Sequence, residues 1–340
     1  LLTIRANSDH LRDIPAGINV IRFKSQHALT AIPEIRRYLK NHQPAAMLVA
    51  KDRAGRSALL ARKLAASPTR IAIRLGTNLS TALAEKNPLQ RWLRTMPMRL
   101  IYRMAEQIIA VSEGVAIDTR SITGLPPERV TVIKNPVITP RLQQQAAEPC
   151  PHPWLEDTSV PVVMGVGRLT RQKDFPTLLK AFSLVREKRP LRLIILGDGK
   201  DLETLEQYAE THGIAQDLLL PGFQTNPYAW LARAGLFVLS SRWEGSPNVL
   251  TEALALGIPS VATNCPSGPE ETLQGGRIAP LVPVGDAVAL ADAMSAILES
   301  PPSADSLKAA VADFNASHSA EQYLQVLHAT NSARSQTKSR

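Results

Sequence analysis

Cysteine is nearly absent. Two in 340 residues, Cys150 and Cys265, are too few for a disulfide framework and lack metal-ligand spacing, so neither zinc nor redox chemistry is suggested and a reducing compartment is the default. No apolar run approaches the ~18 to 20 residues that span a bilayer, so an integral membrane protein is not expected. A G-x-x-x-x-G-K-[ST] loop is missing, which removes a P-loop nucleotide hydrolase. The two G-x-G stretches, at 165–170 and 197–202, lack the third glycine of a dinucleotide fingerprint, which argues against hydride transfer. The opening LLTIRANSDH has neither an initiator Met nor a basic segment ahead of its apolar residues, so it reads neither as a signal peptide nor as a natural start, and a preceding segment is expected.

What is present is apolar material for two cores: 44% of the residues are hydrophobic and 20% charged, over a length that suits about two domains. The net charge of +9 is divided unevenly. Residues 1–150 hold 23 Lys and Arg against 10 Asp and Glu, or +13, and the remainder holds 16 against 20, or −4. A basic half can attract nucleic acid, an acidic small substrate or the anionic face of a membrane. No recognition motif accompanies the charge, so nucleic acid is not expected as a partner. Residues 86–103, KNPLQRWLRTMPMRLIYR, interleave five basic residues with Trp92, Leu93, Met96, Met98, Leu100, Ile101 and Tyr102. They read either as an interfacial helix at a membrane or as a packed amphipathic helix interrupted at Pro97.

Short apolar runs bounded by turn residues alternate with helical patterns throughout. LLTIR, INVIRF, AAMLVA, RIAIRL, QIIAVS and RVTVI predict strands in the first half, with helices over 32–41, 57–66 and 88–106. VPVVMGVG, LRLIILG, DLLLPG, GLFVLS and IPSVAT predict strands in the second, with helices over 174–188, 201–212 and 248–256. The order predicts two α/β domains with parallel sheets. Six prolines between residues 136 and 161 place a hinge over 136–160, between an N-terminal domain (1–135) and a C-terminal one (161–300). Helices follow over 301–329, with a disordered polar tail over 330–340.

Chemistry is expected at the carboxyl ends of the strands. After VPVVMGV, Gly167 allows close approach, Arg168 offers a planar fork for phosphate oxygens and Lys173 a compact charge. After GLFVLS, a loop carries Glu244, Gly245 and Ser246, and a helix is expected with Ser246 as N-cap and Pro247 as first residue, leaving the amides of Asn248, Val249 and Leu250 free for an anion. Glu244 and Glu252 then flank the ligand, each able to accept hydrogen bonds from a pair of hydroxyls. First-domain histidines His10, His27 and His42 fall in loops or at helix ends and read as solvated.

These motifs, with DGKDLETLE, LLLPGFQTNPYAW, CPSGPEE and APLVPVGD, resemble the retaining nucleotide-sugar glycosyltransferases of glycosyltransferase family 4. The resemblance implies a GT-B fold of two facing Rossmann-like domains with an interdomain cleft. It implies that Arg168 and Lys173 hold the donor diphosphate without a metal, that Gly222 and Phe223 meet the nucleobase, that Glu252 binds ribose, and that Glu244 faces the donor sugar. Gly167, Gly245, Ser246, Pro247, Asn248, Val249 and Leu250 would complete the donor site. No resident cofactor is implied; the nucleotide sugar, with UDP the commonest choice, is a co-substrate. The acceptor would be a glycan or a lipid-linked sugar of bacterial surface polysaccharide or lipopolysaccharide synthesis, and the enzyme cytoplasmic, at the inner membrane face. The family's first strand and Gly-rich loop would precede Leu1, and Lys51-Asp52-Arg53 stand where many members carry a His. The competing readings are a silent nucleotide-sugar-binding remnant and a two-carboxylate glycoside hydrolase using Glu244 and Glu252.

Overall fold

A computed structural model describes residues 1–4, 14, 15, 17–84 and 86–335; His10 and residues 336–340 of the expected disordered tail lie outside the described residues. The chain divides into two compact units, one of residues 1–111, 115–133 and 322–340, the other of 112–114 and 134–321.

In the first unit, β1 (Leu2–Thr3) and β2 (Ile21–Arg22) form a parallel pair. A separate four-stranded parallel sheet runs β3 (Ala46–Ala50), β4 (Arg70–Leu75), β5 (Gln107–Ala110), β6 (Val130–Val132), in that order. Alternation along β4 decides its two faces, as the period of a strand requires. Ile71 and Ile73 enter a core with Leu59, Tyr102 and Ile108, whereas Ala72, with Ile109 and Ile133, meets Tyr323, Val326 and Leu327 of the last helix. That helix spans Ala316–Ser335, so residues 330–335 are helical where the polar composition suggested disorder. An apolar cavity of about 700 Å³ opens beside β3, lined by Leu2, Ile4, Phe23, Met47 and Leu48 among others.

Helix Asp52–Ala65 begins five residues ahead of the predicted start, because Asp52 anchors its first turn: it pairs with Arg56 at 2.6 Å and accepts the Tyr102 hydroxyl at 2.8 Å. Burial, then the nearby Asp52 charge, pushes the Tyr102 phenol well above its ordinary range. Helix Pro88–Ile101 runs through Pro97 instead of stopping at it. The missing N–H costs one intrahelical bond, tolerable because Leu93, whose carbonyl loses its partner, is exposed to water. His27 is exposed in a loop, and His42 ends its helix stacked on Tyr38 at 4.5 Å.

The second unit carries a six-stranded parallel sheet built from β7 (Val162–Val166), β8 (Arg192–Leu196), β9 (Leu218–Leu219), β10 (Leu236–Leu239), β11 (Ser260–Thr263) and β12 (Leu281–Val282). Their order is β12-β11-β10-β7-β8-β9. The chain winds outward one way from β7 and the other way from β10, so those two neighbours form the topological switch point. Helix Phe175–Arg186, after β7, buries Leu178 and Phe182 on one face with Val163 and Leu193. Helix Asn248–Ala255, after β10, buries Leu250 and Leu254 on the other with Met164 and Phe237. The helices after β7 and β10 therefore lie on opposite faces of the sheet, the arrangement that places ligand sites at the sheet's carboxyl edge.

Residues 136–160, expected as a hinge, belong to this unit. Val137 and Ile138 donate N–H bonds to the Phe314 carbonyl at 3.0 and 2.9 Å, and Val137 and Leu155 enter its core. Five of the six prolines stay exposed, and Pro140 and Pro153 open short helical turns, so the apolar residues between them tie the segment to the unit.

Candidate functional site

Three loops leave β7, β8 and β9 side by side, bound main chain to main chain. Gly167 N–H donates to the Leu196 carbonyl, Leu169 N–H to that of Asp198 and Gly197 N–H to that of Gly222, each at 2.9 Å. Such contact needs bare backbone. A Cβ on Gly197 would sit 2.0 Å from the Gly167 oxygen, and one on Gly199 2.1 Å from the Leu169 oxygen. The glycines that failed the dinucleotide pattern are thus explained by loop-to-loop approach. Together these loops enclose a cavity of about 300 Å³ lined by Val166, Gly167, Arg168, Asp198, Phe223 and Gln224 among others. Phe223 is 56% exposed, an unusual setting for a large apolar ring, and offers a flat face for a ligand to cover. The structure thus brings Gly167, Arg168 and Phe223 to one cavity, with Gly222 adjoining in the chain. Arg168 is exposed and donates to Gln172 Oε1 at 3.4 Å.

The loops after β7 and β10 are tied across the switch point. Arg242 N–H donates to the Gln172 carbonyl at 2.8 Å, Gln172 Nε2 to that of Trp243 at 3.0 Å and Ser240 Oγ to that of Lys173 at 2.7 Å. Arg242 also pairs with the buried Asp174 at 3.1 Å. Inside this frame Lys173 Nζ lies 2.7 Å from Glu244 Oε1, with side chains only 16% and 9% exposed, and Ser241 Oγ donates to the same oxygen at 2.7 Å. The Lys173 stem crosses Gly167, whose added Cβ would stand 2.9 Å from its Cε. Lys173 and Glu244 are therefore brought together as a mostly buried ion pair, whereas the sequence suggested separate roles for them.

Helix Asn248–Ala255 starts one residue later than expected. Pro247 is the N-cap, in an extended conformation, and Ser246 lies outside; no side chain caps the end. The Pro247 carbonyl accepts from Leu250 N–H at 3.1 Å and from Thr251 N–H at 3.3 Å. Leu250 thus has a partner where an orphan amide was expected, leaving Asn248 and Val249 at the tip without a backbone acceptor among the described residues. Asn135 Nδ2 donates to Asn248 Oδ1 at 2.6 Å and fixes the tip.

Glu252, on the next turn, accepts the Tyr228 hydroxyl at 3.3 Å. Burial raises its carboxyl to about 7 against the opposing effects of that hydrogen bond and of Lys173, and burial with the Glu252 charge raises the Tyr228 phenol to about 12. The Lys173 charge acts on Glu252, and Tyr228, which donates to Glu252, follows cavity-lining Pro227 in the chain. Glu244, Gly245, Ser246 and Glu252 do not line the cavity itself. Burial also lifts the Cys265 thiol to about 12, which leaves it inert near neutral pH. Sequence reasoning missed Tyr228, Ser241, Gln172 and Asn135; only the Asn-Pro start of NPYAWL, where Asn226 caps a helix, marked Tyr228's position. Among the described residues no three His, Cys, Asp or Glu side chains form a group that could hold a metal ion, and no helix is long and apolar enough to cross a membrane.

Gly-stitched loops around a cavity, with a cation and two acids beside the switch point of a parallel sheet, make this carboxyl edge the candidate site. Residues 4–136 match the family of glycosyl transferase 4-like domains and residues 151–313 that of glycosyl transferases group 1. Among curated proteins it is 28% identical over 244 residues (71% of this chain, 64% of the relative) to the N-acetylgalactosamine-N,N'-diacetylbacillosaminyl-diphospho-undecaprenol 4-alpha-N-acetylgalactosaminyltransferase of Campylobacter jejuni. It is 33% identical over 159 residues (46% and 45%) to a lipopolysaccharide core biosynthesis glycosyltransferase of Rhizobium meliloti. The chain spans 64% and 45% of these two relatives, short of two thirds of either. The crystal structure of Anabaena HepE in complex with UDP superposes with a TM-score of 0.71 at 20% identity, over 92% of this chain and 86% of that one, a likeness of fold of the GT-B type.

Proposed function

We propose that the chain transfers a sugar from a nucleoside diphosphate sugar, a UDP-sugar first among them, to a glycan or lipid-linked acceptor of a bacterial surface polysaccharide or lipopolysaccharide. The observation that carries this reading is the cavity walled by Gly167, Arg168 and Phe223 beside the Lys173–Glu244 pair and Glu252. It suits a ligand with an aromatic base, a pair of ribose hydroxyls and a diphosphate. The relatives' names, which include an undecaprenol-linked acceptor and lipopolysaccharide core synthesis, support the acceptor class.

In this reading the nucleobase covers Phe223, and Glu252, once ionised, accepts hydrogen bonds from the ribose hydroxyls. Arg168 and Lys173 meet the diphosphate. Lys173 has three N–H donors and Glu244 uses one, so the ammonium can serve both without leaving its partner. Glu244, held by Lys173 and Ser241, presents its remaining lone pairs to donor sugar hydroxyls. The acceptor hydroxyl oxygen bonds to the anomeric carbon while that carbon's bond to the diphosphate oxygen breaks. The electron pair leaves with the nucleoside diphosphate, which takes the acceptor proton, and attack from the leaving-group side retains the anomeric configuration. Cations on the departing diphosphate contribute roughly 3 to 4 kcal/mol for one well-placed donor. Charge on the leaving group is met by side chains, so activity is expected to survive a metal chelator. Recognition of the acceptor falls to the first unit.

The test incubates the protein with UDP-glucose, UDP-galactose and their N-acetyl forms and a panel of lipid-linked and lipopolysaccharide-core acceptors. Acceptor-dependent release of UDP is expected, with the product's anomeric configuration read by NMR. Glu252→Ala is expected to weaken UDP binding and Glu244→Ala chiefly to lower turnover. Absence of acceptor-dependent release across the panel, or sugar release to water without a nucleotide, overturns the reading.

A further inference from the structure

The helix Pro88–Ile101 is amphipathic in the reverse sense for a folded unit. Of its 14 residues only Met98 is buried. Leu89, Trp92, Leu93 and Leu100 are 65%, 55%, 55% and 57% exposed. Their spacing of three, four and seven residues puts them on one side, and half-buried Met96 falls in the same row. Met98 and the fully buried Tyr102, four residues on, point to the opposite side. The helix thus holds to its unit by its narrow inward edge and turns its broad apolar stripe to solvent. Exposed large apolar side chains in a contiguous row mark an interaction surface, whereas single ones are ordinary.

Charge decides the partner. Residues 86–103 contain Lys86, Arg91, Arg94, Arg99 and Arg103 and no acidic residue. Arg91 folds back onto the carbonyls of Leu83, Ala84 and Lys86, which pins the approach to the helix. Arg99 donates to the Ile122 carbonyl at 2.7 Å, which fixes the far end. Lys86, Arg94 and Arg103 are exposed. A second copy docking through this face would set like charges against one another. A bilayer with anionic headgroups offers what the face needs: acyl chains for the leucines, an interface for Trp92, and phosphates for long cationic side chains that can reach up to them.

We propose that this helix lies in the surface of an anionic lipid bilayer and docks the protein there. The proposal is independent of the transferase reading, because it concerns bare lipid with neither donor nor acceptor present. The experiment is co-sedimentation of the full chain with vesicles of phosphatidylcholine alone and of phosphatidylcholine mixed with phosphatidylglycerol. Binding to the mixed vesicles, falling with added salt, is expected, together with quenching of Trp92 by brominated lipid that disappears in Trp92→Phe. Replacing Leu89, Trp92 and Leu93 together by Ser should lower vesicle affinity at least about tenfold. Arg94→Glu with Arg103→Glu should remove the preference for phosphatidylglycerol. Both variants change exposed side chains only, and unaltered far-UV circular dichroism checks that they fold. Equal binding to both vesicle types, binding unchanged in both variants, or no binding at all overturns the proposal. So does a wild-type dimer in analytical ultracentrifugation that the serine variant reduces to monomer.

Discussion

Glu252 offers a prediction whose sign is as informative as its size. Its carboxyl is raised from an ordinary 4.5 to about 7, burial being the main cause. An unfolded chain releases that proton near the ordinary value, whereas the folded one keeps it until about 7. Between those two points the folded state binds more protons, so stability falls as pH rises, and above about 7 the loss is complete. At about 1.36 kcal/mol per pH unit the interval corresponds to about 3 kcal/mol. Glu252→Gln keeps the shape of the protonated acid and cannot ionise. Urea unfolding of both proteins, followed by tryptophan fluorescence at about pH 5 and about pH 8, should show the Gln variant gaining about 2.5 kcal/mol on the parent between the two, since about pH 5 already lies a little inside the interval. Other titrating groups cancel in the difference. If the gap between variant and parent is the same at both pH values, Glu252 is not held protonated by its surroundings and the reasoning fails. The same ionisation bears on function. UDP binding should strengthen as pH rises through 7 in the parent, and that part of the dependence should vanish in the variant.

Lys173→Met leaves Glu244 buried with only the Ser241 hydroxyl and should destabilise the second unit by about 3 kcal/mol or more, whereas Lys173→Met with Glu244→Leu should recover much of that loss in thermal melts. Gly197→Ala drives a methyl into the Gly167 carbonyl, so a stability loss of about 2 kcal/mol or more and loss of calorimetric UDP binding are expected together. Phe223→Ala should shift the melting point little, because the ring is exposed, yet lower UDP affinity about tenfold if a base stacks there.

Strands were the most legible feature. RIAIRL is β4 to the residue and VPVVMGVG, LRLIILG, GLFVLS and IPSVAT fall within two residues of theirs, because a strand buried on both faces reads as a continuous apolar run, whereas INVIRF and DLLLPG shrink to two-residue strands. Helix Ala287–Glu299 escaped notice because its Ala-rich stretch is apolar all round and shows no period; the signal was Asp286, whose side chain accepts from Val288 and Ala289 N–H. β12, two residues long, had no pattern to offer. Of the site, the residue types and their loops could be read, since Gly, Arg, Lys and Glu stand at fixed offsets from recognisable strands. Their partners could not. Lys173 and Glu244 lie 71 positions apart, and their pairing follows from β7 and β10 being neighbours, a fact of strand order that no local pattern encodes. The helix start, one residue beyond the expected Ser-Pro signature, likewise meets a distant segment: Gly268 lies against Pro247, where an added Cβ would stand 2.6 Å from Pro247 Cδ.

The backbone contact among the loops after β7, β8 and β9 constrains how such a protein can diversify. Surface loops ordinarily accept extra residues, but here one inserted amino acid would break an N–H to carbonyl register shared by three segments at once. Side chains at the rim, Phe223 and Gln224 for instance, can be exchanged without touching that register, whereas loop length there is fixed.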